Sequence, residues 1–262
     1  TEQAPQGLLT WGSVVVVSFP VGVLMSLEAG RQNVKGPCRW PTLMGVLTQL
    51  LGISVIFPAL WVPSYTYSSS SCENKGVVSI GLAKIAVFLS LPGAILSVLV
   101  FCLDTDSTLW TTCAGILGGP VLPLLALTIL LVPAPKGTIS SKVAQNTAYS
   151  SAVSFGLAGM ASLVGWLYLV VVAVTNYGWD YATLLNDIWF EAHPAVAFMT
   201  IDAGVLWIGL LLHIGSRSLR GMLEALLGSL VFGPGAACCV ALASLEMERA
   251  ENAAVTEDKK TK

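Results

Sequence analysis

The sequence predicts an all-α polytopic membrane protein with about seven transmembrane helices in a single bundle. Hydrophobic residues make up 55% of the 262 residues, and only 11% are charged, whereas soluble domains have about 25% charged residues. The mean hydropathy of +0.76 supports the same conclusion. The net charge of −2 and the lack of a basic stripe give no sign of nucleic-acid binding.

Seven apolar runs have the length of a bilayer-spanning helix, which takes about 20 residues. They are Leu8–Leu27, Pro41–Val62, Val77–Leu103, Thr108–Val132, Ser151–Thr175, Pro194–Ile214 and Ser218–Leu245. We expect kinks where proline interrupts a run, because proline removes a backbone hydrogen bond. Residues 1–245 would then form the bundle, and residues 246–262 a polar, disordered cytosolic tail.

The basic residues predict an orientation. The loop after the first run carries Arg31, Lys35 and Arg39, whereas the amino end before that run has no Lys or Arg. Cytosolic loops are rich in these residues, so we expect this loop in the cytosol and the amino terminus in the lumen. Seven alternating spans would place the carboxyl terminus in the cytosol and Arg217 and Arg220 in the lumen.

The last four residues carry a possible address. Lys259-Lys260-Thr261-Lys262 matches the dilysine pattern that returns proteins to the endoplasmic reticulum, and such addresses are read by receptors. Because this address is read in the cytosol, it agrees with the orientation predicted from the first loop. We expect an integral protein of the endoplasmic reticulum membrane.

The stretch from Trp189 to Ile214 is apolar but has ionisable side chains at Glu191, His193, Asp202 and His213. An ionisable group at membrane depth costs at least about 2.5–3.5 kcal/mol on insertion scales, so it marks a function or a partner. His193-Pro194 predicts a helix start, with proline at the first helical position. Asp202 and His213 are eleven residues apart, about three turns, and should share a face.

Alternating spans would gather the acids at one mouth of the bundle, on the cytosolic side. Glu28 would close the first helix on that side, and Asp202 would lie about two turns below the mouth. The loops would add the remaining ionisable groups: Asp104, Asp106, Asp180, Asp187, Glu191 and His193. A carboxylic acid in an apolar cavity has a raised pKa and can stay protonated near neutral pH. Such a group can protonate an epoxide or an alkene.

These residues suggest specific roles. Asp202 or Glu191 would be the acid, and His193 would set its protonation state or take the final proton. Glu28 would be a partner of His193. Aromatic faces can stabilise a carbocation, so the rings of Trp189 and Trp207 would line the cavity. This chemistry needs no metal or cofactor, and its partner would be a lipophilic prenylated molecule taken from the membrane lipid.

In length, predicted span count and isolated membrane carboxylates, the chain resembles the small integral-membrane terpene cyclases of fungal meroterpenoid pathways. The resemblance implies metal-free Brønsted-acid cyclisation of a prenylated substrate. The sequence lacks the asparagine–aromatic–tryptophan–glutamate stretch of the best-known branch. The assignment of Asp202 and Glu191 therefore rests on their surroundings and not on a family motif.

Other classes of protein remain open. Asp104-x-Asp106 and Asn186-Asp187-xxx-Glu191 are two acid motifs that are similar to those of UbiA-type prenyltransferases, in which Mg²⁺ grips a diphosphate. A non-enzymatic transporter or scaffold of the endoplasmic reticulum membrane is a further alternative. A retinal protein is not favoured, because the last predicted helix has no lysine for a Schiff base.

Overall fold

The computed structural model describes residues 5–32, 34, 36–67, 78–79, 81–88, 95–96, 99, 103, 106–118 and 140–258, without the side chains of 41–42, 45, 49, 114–118 and 253–258. Helix is the regular structure of this part, and it contains no β-strand. The all-α prediction is confirmed here. About half of the predicted span Val77–Leu103 and more than half of Thr108–Val132 lie outside the described residues.

Besides a short 3₁₀ turn (Pro37–Arg39), the main helices of the described part follow one another along the chain. They are α1 (Pro5–Ala29), α2 (Pro41–Leu51), α3 (Ile53–Ile56, continued by a π-helical turn, Phe57–Trp61, and by Val62–Tyr67), α4 (81–88), α5 (Thr108–Gly118), α6 (Ser141–Tyr177), α7 (Tyr181–Asn186, followed by a π-helical turn, Asp187–Glu191), α8 (Pro194–Gly215), α9 (Leu219–Phe232) and α10 (Pro234–Asp258).

Three of these helices, α1, α6 and α8, are long and apolar enough to cross a membrane. Their outer surfaces carry large apolar side chains, and Met160, Val171 and Phe198 are each at least 60% exposed. A large exposed apolar surface marks contact with another apolar phase. The membrane prediction is supported, but three candidate spans in the described part are fewer than the seven predicted.

Contacts at both ends of α1 fix the helix directions. The Gln6 amide donates to Asp187 Oδ2 at 3.1 Å, just before α8 begins. Arg217, just after α8 ends, donates to Glu28 Oε1 at 2.7 Å. Helices α1 and α8 are therefore parallel. Helix α6 is antiparallel to both, because Ser162 donates to the Val16 carbonyl and Leu169 packs against Leu9.

Helices α9 and α10 form an antiparallel hairpin, so the prediction of one span over Ser218–Leu245 is wrong. The chain turns at Gly233, where φ is +81°. Near the turn, a Cβ on Gly228 would lie 3.3 Å from that of Ala237, and a Cβ on Gly235 would overlap the carbonyl oxygen of Val16, near the middle of α1. Helix α9 has 14 residues, about 21 Å, against the roughly 30 Å of a hydrocarbon core.

The prediction of one span over Pro41–Val62 is wrong for the same reason. Gly52 separates α2 from α3 with φ +87° and ψ 142°, close to the +81° and 157° of Gly233. The Cys38 thiol donates to the Trp61 carbonyl at 3.3 Å, so the chain returns to the level at which α2 began. Because this segment does not cross, α1 and α8 are parallel and not antiparallel as the alternating spans required.

Helix α10 passes the domain boundary predicted at residue 245 without a break. Glu246 is 1% exposed and Ala250 is fully buried. The chain is thus helical as far as residue 258, where the sequence predicted a disordered tail, and Glu246 and Ala250 pack into the fold. Residues 259–262, with the dilysine pattern, lie outside the described residues.

Candidate functional site

A buried group of charged side chains lies where the ends of α1, α3 and α8 meet α10. Glu28 Oε1 accepts hydrogen bonds from Arg31 Nη2 and Arg217 Nη2, both at 2.7 Å. Glu28 Oε2 accepts from Arg31 Nε at 2.8 Å and from the Tyr65 hydroxyl. A single carboxylate thus connects three parts of the chain.

Glu246 is the second carboxylate of this group. Its Oε1 atom accepts from Arg31 Nη2 at 2.7 Å and from Arg249 Nη1 at 2.5 Å, and it lies 3.7 Å from Arg217 Nη1. We call the six residues the arginine cluster: Glu28, Arg31, Tyr65, Arg217, Glu246 and Arg249. Among its charged side chains only that of Arg249 is substantially exposed, at 31%.

Aromatic rings line the arginine cluster on the α3 side. Phe57, Trp61 and Tyr65 follow one another at four-residue spacing, with ring centroids 5.4 and 5.0 Å apart. The buried His213 ring lies 4.9 Å from Tyr65 and 5.4 Å from Trp61. His213, which the sequence placed on a polar stripe with Asp202, therefore packs beside the arginine cluster.

The surroundings shift the pKa values of Arg217 and Arg249 in opposite directions. Burial is the largest influence on Arg217 and opposes its charge, but the attraction of Glu28 and of the other acidic groups around it together outweighs burial and raises the pKa of that guanidinium. Arg249 shows the opposite balance: burial, together with repulsion from Arg31 and Arg217, lowers its pKa to about 10. Breaking a buried ion pair leaves an uncompensated charge, so the arginine cluster holds these elements together.

A second polar site lies at the other end of the bundle. An open cleft of about 540 Å³ is lined by Gln6, Gly7, Leu8, Glu191, Ala192, His193 and Val196. Glu191 and His193 are both exposed. The Glu191 carboxylate accepts a hydrogen bond from the Asn186 amide at 2.5 Å. Two predicted acid–base residues thus line one cleft.

The helix start predicted at His193-Pro194 is confirmed. Pro194 opens α8, and His193 is its N-cap. The Nδ1 atom of His193 accepts the Ala195 N–H at 3.2 Å. While Nδ1 accepts this hydrogen bond, the N–H that His193 can offer to another molecule is on Nε2.

The other predicted site residues lie elsewhere. Asp202 is half-buried on α8, nine residues from His193, about 13 Å along the helix. The Trp207 indole donates to Ser229 Oγ on α9 at 3.1 Å, and Trp189 is 42% exposed. None of the three lines the cleft.

Glu28 is at the wrong end for the predicted role beside His193. Gln6 borders the cleft, and Glu28 follows 22 residues later, about 33 Å along α1. The expected common mouth for Glu28, Glu191 and His193 is therefore wrong. The prediction counted the α2–α3 hairpin as a span, and this reverses the directions that it expected for α6 and α8 relative to α1.

The metal-binding alternative can be examined for part of its residues. Among the residues that the structure describes, no three His, Cys, Asp or Glu side chains are grouped closely enough to hold a metal ion. Asp187 instead accepts from Gln6. Asp104, from the first acid motif, is outside the described residues.

Sequence reasoning did not find the arginine cluster, although the sequence contains a signal for it. Glu28-x-x-Arg31 and Glu246-x-x-Arg249 repeat one spacing, and residues three apart on a helix are neighbours. The predicted topology places Glu246 and Arg249 in a disordered tail and Arg217 on the opposite side of the membrane, so it does not bring these residues together.

The described residues therefore offer a largely buried arginine cluster at one end of the bundle and an open cleft lined by Glu191 at the other. The cleft is accessible to a small molecule, whereas the arginine cluster is mostly occupied by its own ion pairs. No family model matches the chain, and neither a curated protein nor a solved structure was found to be similar to it.

Proposed function

We propose that the cleft is the active site of a membrane enzyme that carries out metal-free acid–base chemistry on a lipophilic substrate. Cyclisation of a prenylated compound is the reaction that the sequence resemblance favours. One observation carries the proposal: Glu191 and His193 line the same open cleft together with the apolar side chains of Leu8 and Val196.

The surroundings of the cleft suit a substrate that arrives from the bilayer. Trp179 is 74% exposed and Phe190 is 83% exposed in the segment that leads into α8. Such aromatic side chains are typical of the membrane–water interface. A lipophilic substrate that fills the cleft would displace water from the Glu191 carboxyl and favour its protonated form.

In the proposed reaction, the Glu191 carboxyl transfers its proton to the oxygen of a terminal epoxide as the C–O bond breaks. An alkene of the same substrate supplies the electron pair of the new C–C bond. The final carbocation returns a proton to the Glu191 carboxylate, so the product is an isomer and no co-reactant is consumed. The Nε2–H of His193 would donate a hydrogen bond to the substrate oxygen.

This proposal assigns the acid to Glu191 and not to Asp202, which lies outside the cleft lining. It gives no catalytic role to Glu28, whose carboxylate is bonded to Arg31, Arg217 and Tyr65. Trp207 is bonded to Ser229 and is assigned to packing.

We also propose that the arginine cluster faces the cytosol and the cleft faces the lumen. All described basic residues lie in the half of the molecule that contains the arginine cluster: Arg31, Arg39, Lys84, Lys142, Arg217, Arg220 and Arg249. The described charged residues around the cleft are Asp180, Asp187 and Glu191. Cytosolic loops are enriched in Lys and Arg, so the charge difference supports a lumenal amino terminus and a cytosolic α10 end.

The test is conversion of an epoxidised farnesyl-phenol by isolated membranes that contain the protein, with and without EDTA. A general acid contributes about 10²–10⁴-fold to a rate, so we expect Glu191→Gln to lower product formation by about 100-fold or more. Glu224→Gln is the matched control, because Glu224 is exposed and pairs with Arg220 on α9.

Three results would contradict the proposal. Full activity of Glu191→Gln would remove the proposed acid. Activity that EDTA abolishes and Mg²⁺ restores would favour the metal-dependent prenyltransferase. Absence of product from the parent protein would contradict the proposed substrate and favour a transporter or scaffold.

A further inference from the structure

The arginine cluster contains more positive than negative charge. Its charged members in the described part are three guanidinium groups, on Arg31, Arg217 and Arg249, and two carboxylates, on Glu28 and Glu246. Buried charges are normally paired. Among the described residues, the arginine cluster therefore has one positive charge more than it has negative charges, which suits the binding of an anion.

The hydrogen bonds of the arginine cluster identify which donors remain available. A guanidinium has five N–H donors. Arg217 uses Nη2 for Glu28 and Tyr65, while its buried Nε and Nη1 atoms have no hydrogen-bond partner among the described residues. The hydrogen bond of Arg249 within the described part comes from Nη1 alone.

These two guanidinium groups are close to each other. Glu246 Oε1 lies 3.7 Å from Arg217 Nη1 and 2.5 Å from Arg249 Nη1, so the two nitrogens are at most about 6 Å apart. Planar guanidinium groups bind phosphate through paired hydrogen bonds. Arg249 is 31% exposed, so a ligand can reach it from outside the bundle.

We propose that Arg217 and Arg249 bind a phosphate group at the end of the bundle where the arginine cluster lies. The anion offsets the excess positive charge and accepts hydrogen bonds from Arg217 and Arg249 donors that have no hydrogen-bond partner among the described residues. The lowered pKa of Arg249, caused by burial and by the neighbouring Arg31 and Arg217, reflects the same shortage of negative charge. The phosphate belongs either to a lipid headgroup or to a soluble phosphate compound.

The experiment is thermal unfolding of the purified full-length chain in neutral detergent. One series adds inorganic phosphate against chloride at equal ionic strength, and a second adds phosphatidic acid against phosphatidylcholine in mixed micelles. A ligand that binds only the folded state raises the unfolding temperature in a saturable way. We expect such a rise with phosphatidic acid alone if the source is a lipid headgroup, and with both probes if free phosphate suffices.

Two variants separate the site from a general charge effect. Arg249→Lys keeps the charge but lacks the planar fork, and we expect at least a tenfold weaker apparent affinity for the phosphate probe. Arg220→Lys is the matched control, because Arg220 is 89% exposed and pairs with Glu224 outside the arginine cluster; its affinity should equal that of the parent. A parent protein with no saturable rise for either probe, or equal affinities in parent and Arg249→Lys, would overturn the proposal.

Discussion

The sequence suggests a catalytic role for Glu28, but in the structure both of its carboxylate oxygens accept hydrogen bonds from neighbouring side chains. Its carboxylate is fully buried and accepts hydrogen bonds from Arg31, Arg217 and Tyr65. A carboxylate in these bonds has no proton to give. Removing one partner of a buried ion pair is costly, because the remaining charges stay in a medium of low polarity.

We therefore expect Glu28→Gln to lower the free energy of unfolding by about 3–5 kcal/mol. The variant keeps the shape of the side chain but leaves three buried guanidinium groups with one carboxylate. Thermal unfolding of the purified protein in detergent measures the effect as a lower midpoint.

Glu224→Gln is the control for Glu28→Gln at the residue scale. It also removes an arginine–glutamate pair, but this pair is exposed, with side-chain exposures of 89% for Arg220 and 56% for Glu224. Exposed pairs contribute little to stability, so the midpoint should hardly change. Equal destabilisation by the two variants would show that the arginine cluster is not an important stabilising element.

At the scale of elements, two glycines decide the course of the chain. Gly52 and Gly233 both have positive φ with an extended ψ, a backbone region that is essentially limited to glycine. Each turns a long apolar segment into a hairpin of two helices. The α9–α10 turn is also tightly packed, because a Cβ on Gly233 would lie 2.7 Å from Cδ2 of Trp166.

Gly233→Ala should accordingly destabilise the protein by at least about 1–3 kcal/mol from backbone strain alone. Contact with Trp166 should add to this loss. The comparison is Gly156→Ala, since Gly156 lies within α6, has no positive φ, and has open space where the Cβ would be. Alanine is the better helix former, so this control should be neutral or slightly stabilising. A Gly233→Ala protein as stable as its control would contradict the hairpin.

The sequence predicted the long single helices correctly, but it did not predict their relative directions. Leu8–Leu27, Ser151–Thr175 and Pro194–Ile214 each lie within an observed helix, α1, α6 or α8. These predictions succeeded because hydropathy and length suffice for a long uninterrupted helix. The single spans predicted over Pro41–Val62 and Ser218–Leu245 were wrong because hydropathy does not show where a chain reverses its direction, as this chain does at Gly52 and Gly233.

The candidate site shows the same contrast between local structure, which the sequence predicts, and long-range contacts, which it does not. Glu191 and His193 share a cleft as local sequence suggested, because Pro194 fixes the start of α8 beside them. The arginine cluster could not be assembled from the sequence, since its members come from α1, α3, α10 and the turns after α1 and α8. Their meeting depends on the two hairpins.

At the scale of the whole molecule, the two polar sites lie at opposite ends of the parallel helices α1 and α8. The Gln6–Asp187 hydrogen bond marks the cleft end, and the Glu28–Arg217 ion pair marks the other. The two ends also differ in charge, with the described Arg and Lys residues on the side of the arginine cluster. This separation underlies both the proposed lumenal active site and the proposed phosphate site.

The most direct test of this arrangement is cysteine labelling in sealed membrane vesicles of known orientation. Single cysteines replace Ala192 at the cleft and Arg220 beside the arginine cluster, in a background whose six native cysteines are changed to serine. The structure predicts that a membrane-impermeant maleimide labels the two positions from opposite sides. The proposed orientation adds that residue 220 is labelled from the cytosolic side and residue 192 from the lumenal side. Labelling of both from the same side would contradict the fold and remove the basis for two separate sites.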